Sequence, residues 1–371
     1  MTTFITRLDG DGAPHGVRLA VKDAIDVAGV PTTAGCRVVA EQAQPAAADA
    51  TCLAGARLAG AHIVGKANLH ELCFGASGVN PWFGTPVNPL DASLIPGGSS
   101  SGSAVAVATG EADVAFGTDT VGSIRNPSAC CGTVGLKTTW GRLPLDGVWP
   151  LAPSMDTVGP MARDVAGVVT GMELLEPGFT VASSAATVLG RVRLDDVHPL
   201  IDAAIVRLLQ AIDVEVIEVQ LPGWAEATRA GLTLLYAEAL DADRRIVASS
   251  SERLGRDVQA RFASAAGLTD GRVAAAQARR AVWRAELARS FEAVQLLVMP
   301  TMLRFPPRID DQDHLRPNDA AVAISLAGHP ALAQPVPTSG ELPASLQLVG
   351  PDNSEGMLLA TGARIEAAAS A

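Results

Sequence analysis

The chain has 371 residues, 48% of them hydrophobic and only 18% charged, which excludes a disordered chain and leaves a large core to be packed mainly from small aliphatic side chains. Its formal net charge is −11, and its basic residues are scattered or gathered at Arg244-Arg245 and Arg279-Arg280, so no basic stripe faces phosphates and direct nucleic-acid binding is disfavoured. Five cysteines without CxxC spacing argue for reduced thiols over a disulfide framework or a zinc site, and the start MTTFITRLDGDG has no apolar leader, so the reading is a cytoplasmic protein with no metal and no membrane contact.

Residues 17–30 (VRLAVKDAIDVAGV) alternate short apolar stretches with charge and end in the turn Gly29-Val30-Pro31, which predicts a strand or hairpin with Lys22 inside it. Residues 49–65 have a helical period that runs into AHIVG, a helix followed by a buried strand. Residues 75–103 are loop-like and lead into the small-residue helix SAVAVATG, and a second short loop covers 117–127. From about 163 to 290 the pattern is mostly helical and carries no chemistry-bearing motif. The apolar runs AVQLLVMP (293–300) and ASLQLVG (344–350) predict buried strands, and the alternation of helices and strands gives an α/β fold.

Two loops could carry chemistry. The first, Pro96-Gly97-Gly98-Ser99-Ser100-Ser101-Gly102-Ser103, brings glycines and hydroxyls together in a way that suits close approach of backbone to a small ligand. It is not a phosphate loop, because no lysine follows its last glycine. The second, residues 117–125 (GTDTVGSIR), could expose one hydroxyl beside several backbone N–H groups, each worth about 3 to 4 kcal/mol when aimed at an oxyanion. Taken singly, the first also reads as a flexible linker and the second as an ordinary turn with a capping serine.

Taken together, the two loops resemble the amidase-signature family, through PGGSSSGSAVAVA and GTDTVGSIRNPSACCGTVGLK. Ser123 follows Ser99 by 24 positions, the family's spacing. Further matches are VKDAIDVAGVPTTAG around Lys22, GKANLHELCFG at 65–75, NPWFGTPVNPLD at 80–91 and SMDTVGPMARD at 154–164, with LLVMPT, GHPALAQPVP and LPASLQLVGP in the last quarter. The resemblance covers the whole chain. It implies a single α/β/α domain over 1–371 with a central mixed β-sheet flanked by helices. Within it, a signature core would span about 60–165, a helical variable region about 165–290, and closing strands about 293–351.

The resemblance also implies roles. Ser123 is expected to attack an amide carbonyl, Ser99 to relay its proton after a cis peptide at Gly98, and Lys22 to act as base, which requires burial deep enough to keep the amine neutral. The backbone N–H groups of Thr120, Val121, Gly122 and Ser123 are the expected oxyanion hole. Val121 departs from the family's glycine, and a β-branched residue does not readily take positive φ, so either the loop needs none there or the hole is altered. Asp119 and Arg125 are expected to hold the loop, His70 and Glu71 to be structural, Cys73 to line the pocket, and Cys130-Cys131 to pack in the core. His15 and His329 show no partner pattern. No cofactor is implied.

The leading expectation is therefore a stand-alone amidase acting on a small amide or urea-like substrate, with a small-molecule amide as its partner and a homodimer as a family-level expectation. The alternatives are the amidase subunit of a tRNA-dependent amidotransferase, disfavoured because only 21 residues precede Lys22, and a degenerate non-catalytic member.

Overall fold

Strand periodicity sets up the layers. In Arg18–Lys22 (β2), Leu19 and Val21 face one apolar cluster while Ala20 between them faces another, and in Val114–Asp119 (β4) Val114 and Phe116 alternate in the same way with Ala115. These strands are buried on both faces, so helices must cover both. The computed structural model describes residues 2–8, 16–311 and 319–369.

The other strands are Phe4–Arg7 (β1), His62–Ala67 (β3), Val134–Lys137 (β5), Thr157–Ala162 (β6), Val188–Val192 (β7), Glu215–Val219 (β8), Leu296–Pro300 (β9), Ala331–Val336 (β10) and Ala344–Val349 (β11). All join one eleven-stranded sheet in the order β1-β3-β2-β4-β6-β5-β10-β11-β9-β7-β8. The sheet is mixed. β2 runs parallel to β3 and β4, and β7 runs parallel to β8 and β9, while the strands from β4 across to β9 pair antiparallel. This is the expected α/β fold with a central mixed sheet.

One face is covered by the helices Val165–Leu175, Pro199–Ala211 and Glu355–Ala369, which share a core cluster with Leu19, Val21, Phe116, Leu346 and Leu348. The opposite face carries Ser101–Ala108 and Arg125–Cys131 near the middle of the sheet, then Trp224–Ala242, Arg256–Ala266 and Asp270–Ser290 as a helical cap.

The small residues of Ser101–Ala108 follow from this packing. A Cβ at Gly102 would lie 2.4 Å from the carbonyl oxygen of Thr3 and 2.5 Å from the amide nitrogen of Asn68, so the helix sits flush on the chain that leaves β3. Burial of Val105 and Val107 against the sheet holds it there, at about 1.5 to 3 kcal/mol for each side chain.

The stretch 163–290 is not only helical. It contributes β7 and β8, which extend the sheet beyond β9, because five-residue strands are too short to outweigh the helical period around them.

Candidate active site

Lys22 is the last residue of β2, and alternation turns its side chain to the face that carries helix Ser101–Ala108. The side chain is wholly buried, with Nζ 2.6 Å from Ser99 Oγ and 2.7 Å from Thr118 Oγ1. Thr118 belongs to β4, the parallel neighbour of β2, so the sheet itself places the second contact. The Gly98-Ser99 peptide is cis. The carbonyl of Ser99 accepts from His70 N at 3.0 Å, and the carbonyl of Ser123 accepts from Ser100 N at 3.1 Å, which ties the two serine loops together. Lys22, Ser99 and Ser123, 101 positions apart at their ends, thus meet at one end of β2 and β4.

Burial lowers the pKa of Lys22, against the raising influence of Cys73, Asp119 and Asp156. Neither Asp23 nor Asp26 claims the lysine. Asp23 Oδ1 pairs with the buried Lys66 at 2.9 Å, and Asp26 accepts from Thr32 Oγ1 at 2.6 Å.

The loop after β4 is organised by Asp119. Its carboxylate accepts from the backbone N–H groups of Gly122 (2.7 Å), Ile124 (3.2 Å) and Arg125 (3.3 Å), and it takes Nε and Nη2 of Arg125 at 3.0 and 2.9 Å. Burial pushes this carboxyl up, but Arg125, Lys137 and the Gly122 amide together outweigh it and hold it at about 2. Arg125 also donates to Ser325 Oγ at 2.7 Å and to Gln347 Oε1 at 3.2 Å, so it locks the loop to β11 and the segment before β10.

The four amides expected to form an oxyanion hole divide. That of Gly122 is aimed at Asp119 and so is not aimed at a substrate oxygen, whereas those of Thr120, Val121 and Ser123 donate to no protein acceptor among the described residues. Val121 is not among the residues with positive φ; the left-handed position is Gly122 at φ +124°. A Cβ there would also meet Asn126 Nδ2 at 2.7 Å. The turn therefore accommodates valine one residue earlier. Thr120 is held by its hydroxyl, which donates to Asp156 Oδ1 at 2.6 Å, while Asp156 also accepts from Leu151 N and Ala152 N.

Cys73 stands in the surroundings of Lys22 and Thr118, and burial raises its thiol pKa above the ordinary range while Lys22 lowers it. It sits in a tight turn whose residues Leu72 and Cys73 both have positive φ, 52° and 57°. The turn is pinned by Glu71, which accepts from Trp82 Nε1 at 2.7 Å and Gly255 N at 2.6 Å, and by His70, 2.7 Å from Asp257. Cys130 and Cys131 are core residues, Cys130 Sγ touching Met302 Sδ at 3.7 Å. His329, without a partner pattern in the sequence, pairs with Asp352 at 2.8 Å; His15 lies outside the described residues. Sequence reasoning missed Thr118 and Asp156 as site residues although both stand inside the matching motifs, because only the sheet brings them to Lys22 and Thr120.

A buried lysine bridged to a serine, beside a second serine under unclaimed amides, is the arrangement that the motifs imply. The sequence profile of the family described as Amidase matches residues 8–183 and 194–359. The chain belongs to the amidase family. Among its relatives in this family, a protein of Halobacterium salinarum that is named as a glutamyl-tRNA(Gln) amidotransferase subunit is 31% identical over 99% of both chains. One of the same name from Symbiobacterium thermophilum is 34% identical over 91% of this chain and 80% of its own. A solved structure described as an amidase superposes with a TM-score of 0.87 at 32% identity, covering 95% of this chain and 84% of its own. The solved glutamyl-tRNA(Gln) amidotransferase subunit from Thermotoga maritima gives 0.86 at 26% identity, covering 98% and 86%.

These names correct one expectation. The expected partners, a small-molecule amide and at most a second copy of the chain with no direct nucleic acid, do not fit relatives that match along most of their length and are named as subunits of an amidotransferase for glutamyl-tRNA(Gln). The membership establishes an enzyme acting on C–N bonds. No helix among the described residues is long and apolar enough to cross a membrane.

Proposed function

We propose that this chain is the amide-cleaving subunit of a tRNA-dependent amidotransferase or a closely similar assembly, and that it forms an acyl-enzyme on Ser123. The observation that carries the chemistry is the contact of Lys22 Nζ with Ser99 Oγ at 2.6 Å inside a fully buried site. A neutral amine has one lone pair and two hydrogens; with Thr118 Oγ1 as acceptor for one hydrogen, the lone pair is free to take the proton of Ser99.

Ser123 Oγ attacks the amide carbon as its proton passes to Ser99 Oγ and the Ser99 proton passes to Lys22. The carbonyl oxygen collects negative charge against the amides of Thr120, Val121 and Ser123, which no protein acceptor among the described residues claims. The proton then returns along the same path to the departing nitrogen, the C–N bond breaks, and ammonia or an amine leaves an ester on Ser123. Water repeats the sequence and frees the acid. In an amidotransferase the released nitrogen is the product that matters, which is the reading supported by the relatives' names. The five free, buried cysteines suit a reducing cytoplasm.

The test is glutamine-dependent ammonia release by the chain alone and after co-expression with candidate partner proteins, with mass spectrometry of the residue labelled by a fluorophosphonate. Expected are turnover that rises on assembly, a label on Ser123, and loss of about 10⁴-fold or more in Ser123→Ala. Unchanged turnover in Ser123→Ala overturns the nucleophile. Full activity of the isolated chain on simple amides overturns the assembly reading in favour of a stand-alone amidase, the reading favoured by the solved amidase at 32% identity.

A further inference from the structure

The carbonyl of Ser99 has two donors, and they differ in where they belong. Ser101 N, at 3.0 Å, lies in the same loop, whereas His70 N, also at 3.0 Å, comes from the chain that leaves β3. Among the described residues, His70 is therefore the one donor that ties this carbonyl to the rest of the molecule. Its side chain is buried and held at both nitrogens: Nε2 lies 2.7 Å from Asp257 Oδ2, and Nδ1 lies 3.4 Å from Ser77 Oγ. A carboxylate offers only lone pairs, so Nε2 carries a hydrogen.

The ring also reaches the Ser99 loop by packing. It lies over Gly75, where a Cβ would come within 2.0 Å of Nε2, and the carbonyl oxygen of Gly75 would stand 3.0 Å from a Cβ on Gly98, the residue before Ser99. Ser77 leads into Gly78, where a Cβ would come within 2.2 Å of the Gly97 carbonyl oxygen. The turn 75–78 is thus folded round the imidazole on one side and pressed against residues 97–98 on the other, and in so close a packing a shift of the ring is passed on.

Asp257 belongs to the cap. It stands in the first turn of helix Arg256–Ala266, and the residue before that helix, Gly255, gives its N–H to Glu71 Oε2 at 2.6 Å, so the neighbours His70 and Glu71 grip one helix end. Phe74, in the same turn of chain, packs on Phe262 of that helix with ring centroids 5.2 Å apart. Burial pushes the Asp257 carboxyl up, but His70, Arg261 and the Val258 amide outweigh it and hold it at about 2, so it stays an acceptor. Its side chain is 49% exposed while that of His70 is buried, so the link is closed at its core end and open at its cap end.

We propose that His70 is a positioning residue for the reaction: clamped by Asp257 of the cap and by Ser77, it holds the carbonyl and the backbone of the Ser99 loop, so that the seating of helix Arg256–Ala266 sets the aim of Ser99 Oγ at Lys22 Nζ. The inference rests on the acyl-enzyme reading above and adds a route by which the cap governs the rate. Ser99 Oγ must stay within hydrogen-bond reach of the amine, now 2.6 Å away, for the proton to pass. Its backbone is held by neighbours that are in turn fixed by hydrogen bonds, the means by which a reacting group is kept in place. A purely apolar side chain could fill the volume of the imidazole but could not bind Asp257 and Ser77 at once.

Covalent labelling of the full chain by a fluorophosphonate, read by mass spectrometry at Ser123 against time and probe concentration, tests it. In His70→Leu and Asp257→Ala the limiting rate is expected to fall about tenfold or more, with the half-saturating concentration within about twofold of the parent, since a reacting group displaced by about 1 Å costs on the order of a hundredfold. His70→Gln, whose amide nitrogen can donate near the place of Nε2, and Asp257→Asn, which keeps an acceptor oxygen, are expected to label within about threefold of the parent. The two damaging changes combined should be no slower than the slower of them alone, because both break one contact. Asp257 is half-exposed, so Asp257→Ala carries the test if His70→Leu does not fold. Labelling of Asp257→Ala at the parent rate, a loss that Asp257→Asn and His70→Gln do not restore, or a change confined to the half-saturating concentration overturns the inference. A parent chain that does not label at Ser123 overturns the acyl-enzyme reading and takes this inference with it.

Discussion

The two helical groups on one face of the sheet bury their residues very differently. In Ser101–Ala108 the first seven of eight residues are buried, all of them small or β-branched, while in the cap helix Asp270–Ser290 only Ala276, Trp283 and Leu287 of 21 are buried. The first helix is pressed between the sheet and the loops that carry Ser99 and Ser123, so its sequence is dictated on every side. The cap helix covers the site from outside and is fixed along one stripe. The residues proposed for the chemistry thus rest on the part of the molecule with least freedom.

Substitutions can break or sharpen that contrast. In the core, Asp119→Asn leaves the Arg125 guanidinium buried without a charge partner and is expected to cost about 3 to 5 kcal/mol in urea unfolding at pH 7. Because the folded Asp119 carboxyl is held at about 2, below its unfolded value, the stabilisation is complete above about pH 4 and is lost as pH falls toward 2. The difference between wild type and Asp119→Asn should therefore shrink on acidification. A difference that stays constant from pH 7 to pH 2.5 would show that the pair contributes no charge-linked stability.

At the boundary of the two regions, Cys73→Ala removes a group that raises the pKa of Lys22. The acid limb of the kcat/KM profile is expected to move to lower pH, with less than about tenfold change on the alkaline plateau. A purely packing role would alter the plateau and leave the limb in place. In the cap, Val282→Ser on the outer side of Asp270–Ser290, where Val282 is 53% exposed, should change stability by no more than about 0.5 kcal/mol. A larger loss in thermal unfolding would mean that this face is covered in the working protein.

Much of the core was legible in the sequence because its chemistry travels with glycine and hydroxyl motifs. The resemblance singled out Lys22, Ser99 and Ser123 from short segments, the fold brings Lys22 Nζ to Ser99 Oγ, and the α/β order followed from periodicity. The partners of those residues were harder to see. Thr118 reaches Lys22 only because β2 and β4 are parallel neighbours, and His70 finds Asp257 across 187 positions of chain.

The strands β7 and β8 were hidden for different reasons. Glu215–Val219 turns Ile217 and Val219 inward beside the exposed Val216 and Glu218, but its two glutamates stand three positions apart, so five residues show no clean period of two. Val188–Val192 is interrupted by Gly190, where a Cβ would meet Leu297, Val219 and Val294 at 2.8 Å, a demand of packing that sequence periodicity does not express.

The turn at Gly122 has a consequence for altering this enzyme. Since the left-handed backbone falls on 122 and not on 121, the backbone at 121 does not itself call for glycine, and what limits the residue there is the space around its side chain and the need to keep its amide. Val121 is 4% exposed and shares its cluster with Leu151, Met155 and Ala239 of the cap. Position 121 is therefore a volume control between the nucleophile loop and the helical lid, a place where a library of alanine, leucine or methionine would resize the space above Ser123 while the proton path through Ser99 and Lys22 stays as it is.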